Sequence, residues 1–390
     1  MGRPSLEVAD VIVAHARELP ARGVVSPARR AVLAALAACR TPALGGHVDE
    51  CRSCGHERVS YNSCRNRHCP KCQGSRRAAW VAAQQARLLP VEYFHVVFTL
   101  PAEIAELALQ NKRELYGLLF HASAETLRQV ARDPRRLGGE LGFVSLLHTW
   151  SQTLQHHPHV HVVVPGGGLS ADGARWIACR PGFFLPVRVL SRVFRGKFLA
   201  GLEALRRQGR LRWQGRLAPL VEDRAWQQHL RAARRQEWVV YAKPPFGGPE
   251  RVLRYLARYT HRVAISNQRL LALRDGVVSF RYRDSAHGDR QRTMRLDAVE
   301  FLRRFLLHVL PKGFPKVRSY GFLANRSSKL ERCRQLLGAE AGHGVRVEEP
   351  STESVPGCPV CGSLEIVRKD LPSSTLATRP TSPLPRLDSS

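Results

Sequence analysis

Three groups of residues in this chain have types and spacings that could do chemistry. The first is the run QHHPHVHVVVPGGG, residues 155–168, with histidines at 156, 157, 159 and 161. In an extended strand, residues i and i+2 share a face. His159 and His161 then stand side by side, while Val160, Val162 and Val164 point into the opposite layer. Paired imidazoles suit a divalent cation such as Mn²⁺, Zn²⁺ or Mg²⁺, given a third polar ligand. His156 and His157 flank Pro158 and read as loop residues. A lone His-x-His is also what a surface or core-edge pair looks like, so the reading needs partner chemistry elsewhere.

RVLRYLARYTHRVAISN supplies that chemistry. Tyr255 and Tyr259 are four apart in a predicted helix, which puts both phenols on one face. A phenol, with a pKa of about 10, is a poor nucleophile unless a metal polarises its target or a base takes its proton. Arg251, Arg254, Arg258, His261 and Arg262 surround the pair and suit a helix that faces a phosphodiester.

The third group is CRSCGHERVSYNSCRNRHCPKC, with Cys51-x-x-Cys54 and Cys69-x-x-Cys72. Two such turns can present four thiolates to one tetrahedral, structural Zn²⁺ that stabilises a segment too small to fold alone. Cys64, His68 and His47 are additional candidates, and the surrounding arginines suit a DNA-binding ribbon. GCPVCG, with Cys358 and Cys361, has the form of another knuckle. No Cys or His follows it, so a complete site there needs ligands from elsewhere.

These groups must be positioned by regular elements. Residues 5–40 read as two helices, the second with Ser26 as N-cap and Pro27 at its first position. GSRRAAWVAAQQARLLP is helical up to Pro90, and EYFHVVFTL is a strand that opens a new unit. Residues 103–132 are helical, HPHVHVVV is a second strand, and a glycine-rich turn leads into a third. Basic helices follow at 187–208 and 219–236, then the strand EWVVYAK and the helix PERVLRYLARYTH. RLLALRDGVVSFRYRD is a hairpin around Asp275-Gly276, and helices return at 297–308 and 326–337. The interleaving predicts an α+β fold with a largely antiparallel sheet. Its expected parts are an N-terminal helical segment (1–45), a zinc ribbon (46–88), a nuclease core (89–337) and a Pro/Ser-rich, largely disordered tail (338–390).

Charge narrows the partner. The 390 residues include 61 Lys and Arg against 32 Asp and Glu, a net charge of +29. A chain so basic calls for a polyanion, and nucleic acid is the usual one. A membrane partner is disfavoured, since the basic residues are scattered and no run of apolar residues is long enough to span a bilayer. The N-terminus has no secretory profile. The expected location is therefore cytoplasmic and nucleoid-associated, where ten cysteines stay reduced and paired Cys-x-x-Cys turns point to metal.

Taken together, SCRNRHCPKCQ, HPHVHVVVPGGGL and YLARYTHRVAISN resemble, in order and spacing, the two-tyrosine HUH transposases of the IS-ninety-one type, over about residues 10–335. The resemblance implies an HUH nuclease core that cleaves and rejoins single-stranded DNA at insertion-sequence ends and target sites by a rolling-circle-like route. It implies that His159 and His161 hold catalytic Mg²⁺ or Mn²⁺, and that Tyr255 or Tyr259 attacks to leave a 5′-phosphotyrosine and a free 3′-hydroxyl. Gln152 is the favoured third ligand, because replication-type relatives place a polar ligand several residues upstream; Gln155, His148 and His95 are the other candidates. Lys243, Arg254, Arg258 and Arg262 are the expected DNA contacts. The chain departs from the pattern at its C-terminus, with its lone Cys-x-x-Cys and Pro/Ser tail. Two other readings are a non-catalytic zinc-ribbon DNA-binding protein from a decayed element, and a rolling-circle replication initiator or relaxase. The zinc segment before the nuclease core favours the transposase.

Overall fold

The computed structural model describes residues 6–22, 25–72, 80, 83–85, 87–246, 264–284, 287–325, 327–338 and 357–374. The predicted tyrosine helix, with Tyr255, Tyr259, Arg254, Arg258 and Arg262, lies outside the described residues, as does most of the helix expected before Pro90.

The central sheet is built from apolar, β-branched segments. These are β3 (Tyr93–Thr99), β4 (Phe143–Trp150), β5 (His156–Pro165), β8 (Val240–Phe246) and β12 (Val317–Tyr320). They lie in the order β12-β4-β5-β3-β8, every pair antiparallel, so the histidine strand is in the middle. Strand alternation sends Phe94, Val96, Phe98, Leu147, Val160, Val162 and Val164 to one face, where all are buried. They pack on α3 (Ala102–Gln110), α4 (Lys112–Arg132), α5 (Val187–Arg207) and α6 (Asp223–Arg235), through Leu119, Phe120, Phe194, Phe198 and Trp226. Each buried valine contributes about 1.5–3 kcal/mol. A slip by one residue would turn this row to the other face, so the valines fix the phase of the histidines. The helix expected over 103–132 is two helices, broken at Asn111. Its side chain accepts from the Arg212 N–H at 2.7 Å and donates to the Arg212 carbonyl at 3.1 Å, tying the break to the connection after α5.

After β5 the glycine-rich turn forms a small hairpin of β6 (Gly167–Leu169) and β7 (Trp176–Ala178). A second sheet contains β9 (Leu270–Arg274), β10 (Val277–Asp284) and β11 (Arg290–Asp297). The expected hairpin is present: Asp275 and Gly276 both have positive φ, 49° and 69°, the two-residue turn that matches strand twist. β11 had no sequence expectation. Its outward residues are nearly all charged or polar, so it carries little alternation. Phe280 and Val278 of this sheet pack with Phe301 and Leu302 of α7 (Ala298–Leu307) and with the two N-terminal helices, α1 (Val8–His15) and α2 (Pro27–Ala37). Ser26 caps α2 as expected, its Oγ accepting from the Arg29 N–H. A boundary at residue 45 therefore does not separate two cores.

The third sheet joins β1 (Gly46–Cys51) and β2 (Glu57–Tyr61) to β13 (Ile366–Leu371), in the order β13-β1-β2. Part of the segment expected to be a largely disordered tail is thus a strand. The heptad-free, polar stretch IVRKDL pairs along the whole length of β1, and backbone pairing of that kind leaves no hydrophobic periodicity to read. The last described helix is α8 (Lys329–Leu336). Among the described residues no helix is long and apolar enough to cross a membrane.

Candidate metal centre

Antiparallel register brings histidines from three strands together on the sheet face opposite the valine row. His148 on β4 pairs with His159 on β5, and His161 pairs with Val97 on β3. His148, His159 and His161 each offer a ring nitrogen, and these atoms lie within 4.8 Å of one another. The ring centroids of His148 and His161 are 4.4 Å apart, and those of His159 and His161 are 4.8 Å apart. His148 and His161 are buried and His159 is half-buried, so the cluster reaches the surface through His159.

The rings are held for ligation. His159 Nδ1 lies 2.7 Å from the His157 carbonyl, which can only accept, so Nδ1 carries the proton and Nε2 keeps its lone pair. His161 Nδ1 is 2.8 Å from Nε2 of His95, and the two rings stack 5.0 Å apart. With Nδ1 of His161 donating in that bond, Nε2 keeps its lone pair for ligation. This is the arrangement in which a partner beyond the ligand fixes its tautomer and orientation. Burial drives the ring of His95 down to a pKa of about 3, with the Lys243 charge adding to the effect. His159 is pushed down to about 4, again by burial, partly countered by its bond to the His157 carbonyl. Both rings are neutral at neutral pH, the state that ligates. Trp150 stacks on His148 at 4.5 Å, and Lys316 Nζ sits 5.1 Å from the Trp150 ring.

The third histidine of the cluster is His148, one of the other candidates for the third ligand. Gln152 belongs to the turn between β4 and β5, where Ser151 N–H bonds the Gln155 carbonyl, and its own carbonyl accepts from Arg269. That turn lies beyond the strand ends, while His148 is directly across from His159. The missed signal was FVSLLHTW, an apolar and β-branched run that reads as the strand preceding the histidine strand. His156 lies at the start of β5, not in a loop, and its Nε2 is 2.7 Å from the Tyr116 hydroxyl. Lys243 is exposed on β8, in register with His95.

The cysteines form two clusters. Cys39, Cys64, Cys69 and Cys72 make one, and Cys51, Cys54, Cys358 and Cys361 make the other, each with its sulfurs within 4.8 Å. The expected single site of Cys51, Cys54, Cys69 and Cys72 is not formed. Its first pair sits at the tip of the β1–β2 hairpin, while the second folds back onto Cys39 at the end of α2. Of the additional candidates, Cys64 joins a cluster. His68 is largely buried and driven down to about 3 by that burial, and His47 lies 3.7 Å from the Asp49 carboxylate. Tetrahedral zinc with sulfurs at about 2.3 Å separates them by about 3.8 Å. The Cys64–Cys72 separation is 3.7 Å, so the donors fit zinc.

Comparison with known proteins places two segments of the chain in transposase families. Residues 11–100 match the family described as "Transposase zinc-binding domain", and residues 142–331 match "Putative transposase". The chain is 54% identical over 374 residues to "Putative transposase y4qJ" of Sinorhizobium fredii, covering 93% of this chain and 94% of that one. It is 31% identical over 299 residues to the "Transposase for insertion sequence element IS801" of Pseudomonas savastanoi pv. phaseolicola, covering 74% and 68%. Among solved structures, the metal-bound conjugative relaxase TrwC in complex with oriT DNA is similar over 44% of this chain and 71% of that chain, at 18% identity and a TM-score of 0.26. With its zinc-binding segment, its transposase segment and these relatives, the chain belongs to the IS91-type transposases.

Proposed function

We propose that this transposase nicks and rejoins single-stranded DNA at insertion-sequence ends through a 5′-phosphotyrosine intermediate, in rolling-circle-like transposition. The observation that carries the reading is the convergence of His148, His159 and His161 at the centre of the sheet. These residues would hold Mg²⁺ or Mn²⁺, leaving the remaining coordination positions for the phosphate and water oxygens those ions favour. A divalent cation bound there supplies polarisation of the scissile phosphate and offsets charge developing on its oxygens.

Tyr255 or Tyr259 is the nucleophile. Its phenol oxygen bonds to phosphorus as the phosphorus–O3′ bond breaks, the phenol proton passes to solvent, and the departing strand ends in a protonated 3′-hydroxyl. The ester preserves the energy of the broken bond, so attack by a 3′-hydroxyl on the phosphotyrosine reseals the strand without ATP. The second tyrosine allows another cleavage while the first strand end is still attached. Support for the tyrosines comes from their spacing and from the described residues on either side of them. β8 pairs with β3, the strand of His95, and Ala264 lines the same small cavity as Trp150, the residue stacked on His148. Lys243, Arg254, Arg258 and Arg262 contact phosphates, which position the strand without reading its sequence.

The test is covalent capture. The protein is incubated with labelled single-stranded oligonucleotides from the element's ends and Mn²⁺ or Mg²⁺, then resolved on a denaturing gel. The expected result is an adduct that EDTA abolishes and the Tyr255→Phe/Tyr259→Phe double substitution removes. Metal-independent binding with no adduct would overturn the reading in favour of a DNA-binding protein without catalysis.

A further inference from the structure

The knuckle at Cys358 and Cys361 finds its missing ligands more than three hundred residues away. Cys51 Sγ is 3.6 Å from Cys361 Sγ, and Cys54 Sγ is 3.4 Å from Cys358 Sγ. We infer that Cys51, Cys54, Cys358 and Cys361 bind a second structural zinc ion, closing a ribbon assembled from two segments 304–310 residues apart.

The two knuckles have the same backbone design. In the first, Gly55 N–H donates to the Cys51 carbonyl at 2.8 Å and Cys51 N–H to the His56 carbonyl at 3.0 Å. In the second, Gly362 N–H donates to the Cys358 carbonyl at 2.8 Å and Cys358 N–H to the Ser363 carbonyl at 2.8 Å. Gly55 and Gly362 have φ of 72° and 77°, so each Cys-x-x-Cys-Gly turn uses glycine where a side chain would be strained. Two such turns facing each other present four sulfurs to one tetrahedral ion. The separations of 3.4 and 3.6 Å match that geometry and are far beyond the roughly 2.05 Å of a disulfide.

The strands behind the knuckles are built to meet. β13 pairs with β1 over six residues, from Gly46 with Leu371 to Cys51 with Ile366. Asp49 is 5% exposed, and its carboxylate accepts from Arg368 Nε at 2.7 Å and Nη2 at 3.0 Å. Arg58 of β2 reaches the same carboxylate at 3.2 Å, so one buried anion ties all three strands. Gly45 lies so close to the incoming segment that a Cβ would stand 2.6 Å from the Leu371 carbonyl oxygen. Ser53 Oγ also donates to Ser363 Oγ at 2.7 Å, and the Arg52 N–H to the Glu365 carbonyl at 2.9 Å. The N-terminal ribbon is therefore incomplete without residues 358–371. Zinc supplies what a three-stranded sheet of mostly polar residues lacks, a folding contribution independent of apolar burial.

The measurement is thiolate-bound zinc in the full chain. A thiol-specific mercurial releases zinc from cysteine sites, so any ion on the histidine cluster is not counted. The expected result is two zinc ions per chain, and one in Cys358→Ser/Cys361→Ser, in Cys51→Ser/Cys54→Ser, and in all four substitutions combined. One zinc in the unsubstituted chain, or two retained in the Cys358→Ser/Cys361→Ser variant, would overturn the inference. Should the variants not fold, alkylation mapped by mass spectrometry on the unsubstituted chain decides. Cys51, Cys54, Cys358 and Cys361 are expected to be protected together and to become reactive together on chelation. Alkylation of Cys358 and Cys361 while Cys51 and Cys54 stay protected, or a mass four hydrogens lower from two disulfides, overturns it. None of these readouts involves DNA, so they stand apart from the cleavage assay.

Discussion

His148 and His159 face each other across the β4–β5 pair, their rings 5.5 Å apart and nearly perpendicular. That pairing turns a two-histidine strand motif into a three-nitrogen site. It also separates residues that sequence proximity would group, since Gln152 is nearer to the motif in the chain but sits in the connecting turn.

The first prediction concerns that choice of ligand. His148→Ala is expected to lower metal-dependent adduct formation by about a hundredfold or more, as loss of a direct ligand should. Gln152→Ala is expected to stay within about threefold of the unsubstituted protein. Initial rates of adduct formation across a Mn²⁺ titration check this, and a reversed ranking of the two variants would remove His148 from the site.

His95 is expected to act through His161, whose Nδ1 it contacts at 2.8 Å. His95→Ala should weaken the apparent Mn²⁺ affinity roughly 10–100-fold, the usual effect of losing a ligand's orienting partner. His95→Gln keeps an acceptor for the His161 Nδ1 proton and should recover part of that loss. The metal concentration giving half-maximal rate is the quantity to compare. An unchanged midpoint in His95→Ala would mean that the 2.8 Å contact does not orient the ligand.

Cys39 lies outside all three Cys-x-x-Cys pairs, yet its sulfur completes the cluster with Cys64, Cys69 and Cys72. Cys39→Ser is expected to release one thiolate-bound zinc and lower Tm by ~5 °C or more, because the ion ties the end of α2 to the segment behind it. Calorimetry with and without added zinc checks this. Retention of the full zinc content in Cys39→Ser would place the site elsewhere.

Stability should fall on acidification. Burial pushes His308 and His156 down to about 3, against about 6.5 in an unfolded chain. Both are neutral in the fold, so their contribution is fully present above pH 6.5 and is lost as pH falls toward 3, where the unfolded chain binds the protons first. The cost is about 1–2 kcal/mol for each at pH 5. Urea denaturation between pH 7.5 and 5 reads the slope. His308→Gln should flatten it, since His308 is held by Thr149 and by the Leu154 carbonyl; an unchanged slope in that variant would exclude the residue as a source.

Much of the fold was legible because local chemistry is repeated locally. The Asp275-Gly276 hairpin, the Ser26 cap and the helices after residue 187 all have signals within a few residues of themselves. β4 was legible in principle from FVSLLHTW, but its burial on both faces hides the alternation that marks a half-exposed strand. β13 carried no such signal, since IVRKDL is held by backbone pairing and by charges to Asp49 and Glu50.

By itself the sequence determined that His159 and His161 share a face, because strand periodicity is a property of the backbone. It also determined that each Cys-x-x-Cys is a turn able to present two sulfurs. Only the tertiary structure decided which partners complete these half-sites: His148 for the histidines, Cys39 with Cys64 for one knuckle, and the Cys358–Cys361 turn for the other. The reason is physical. Half-sites are fixed by local geometry, whereas the histidine register is fixed by the apolar face that the central sheet buries, and the meeting of segments 304 residues apart by strand pairing and by the charges on Asp49 and Glu50.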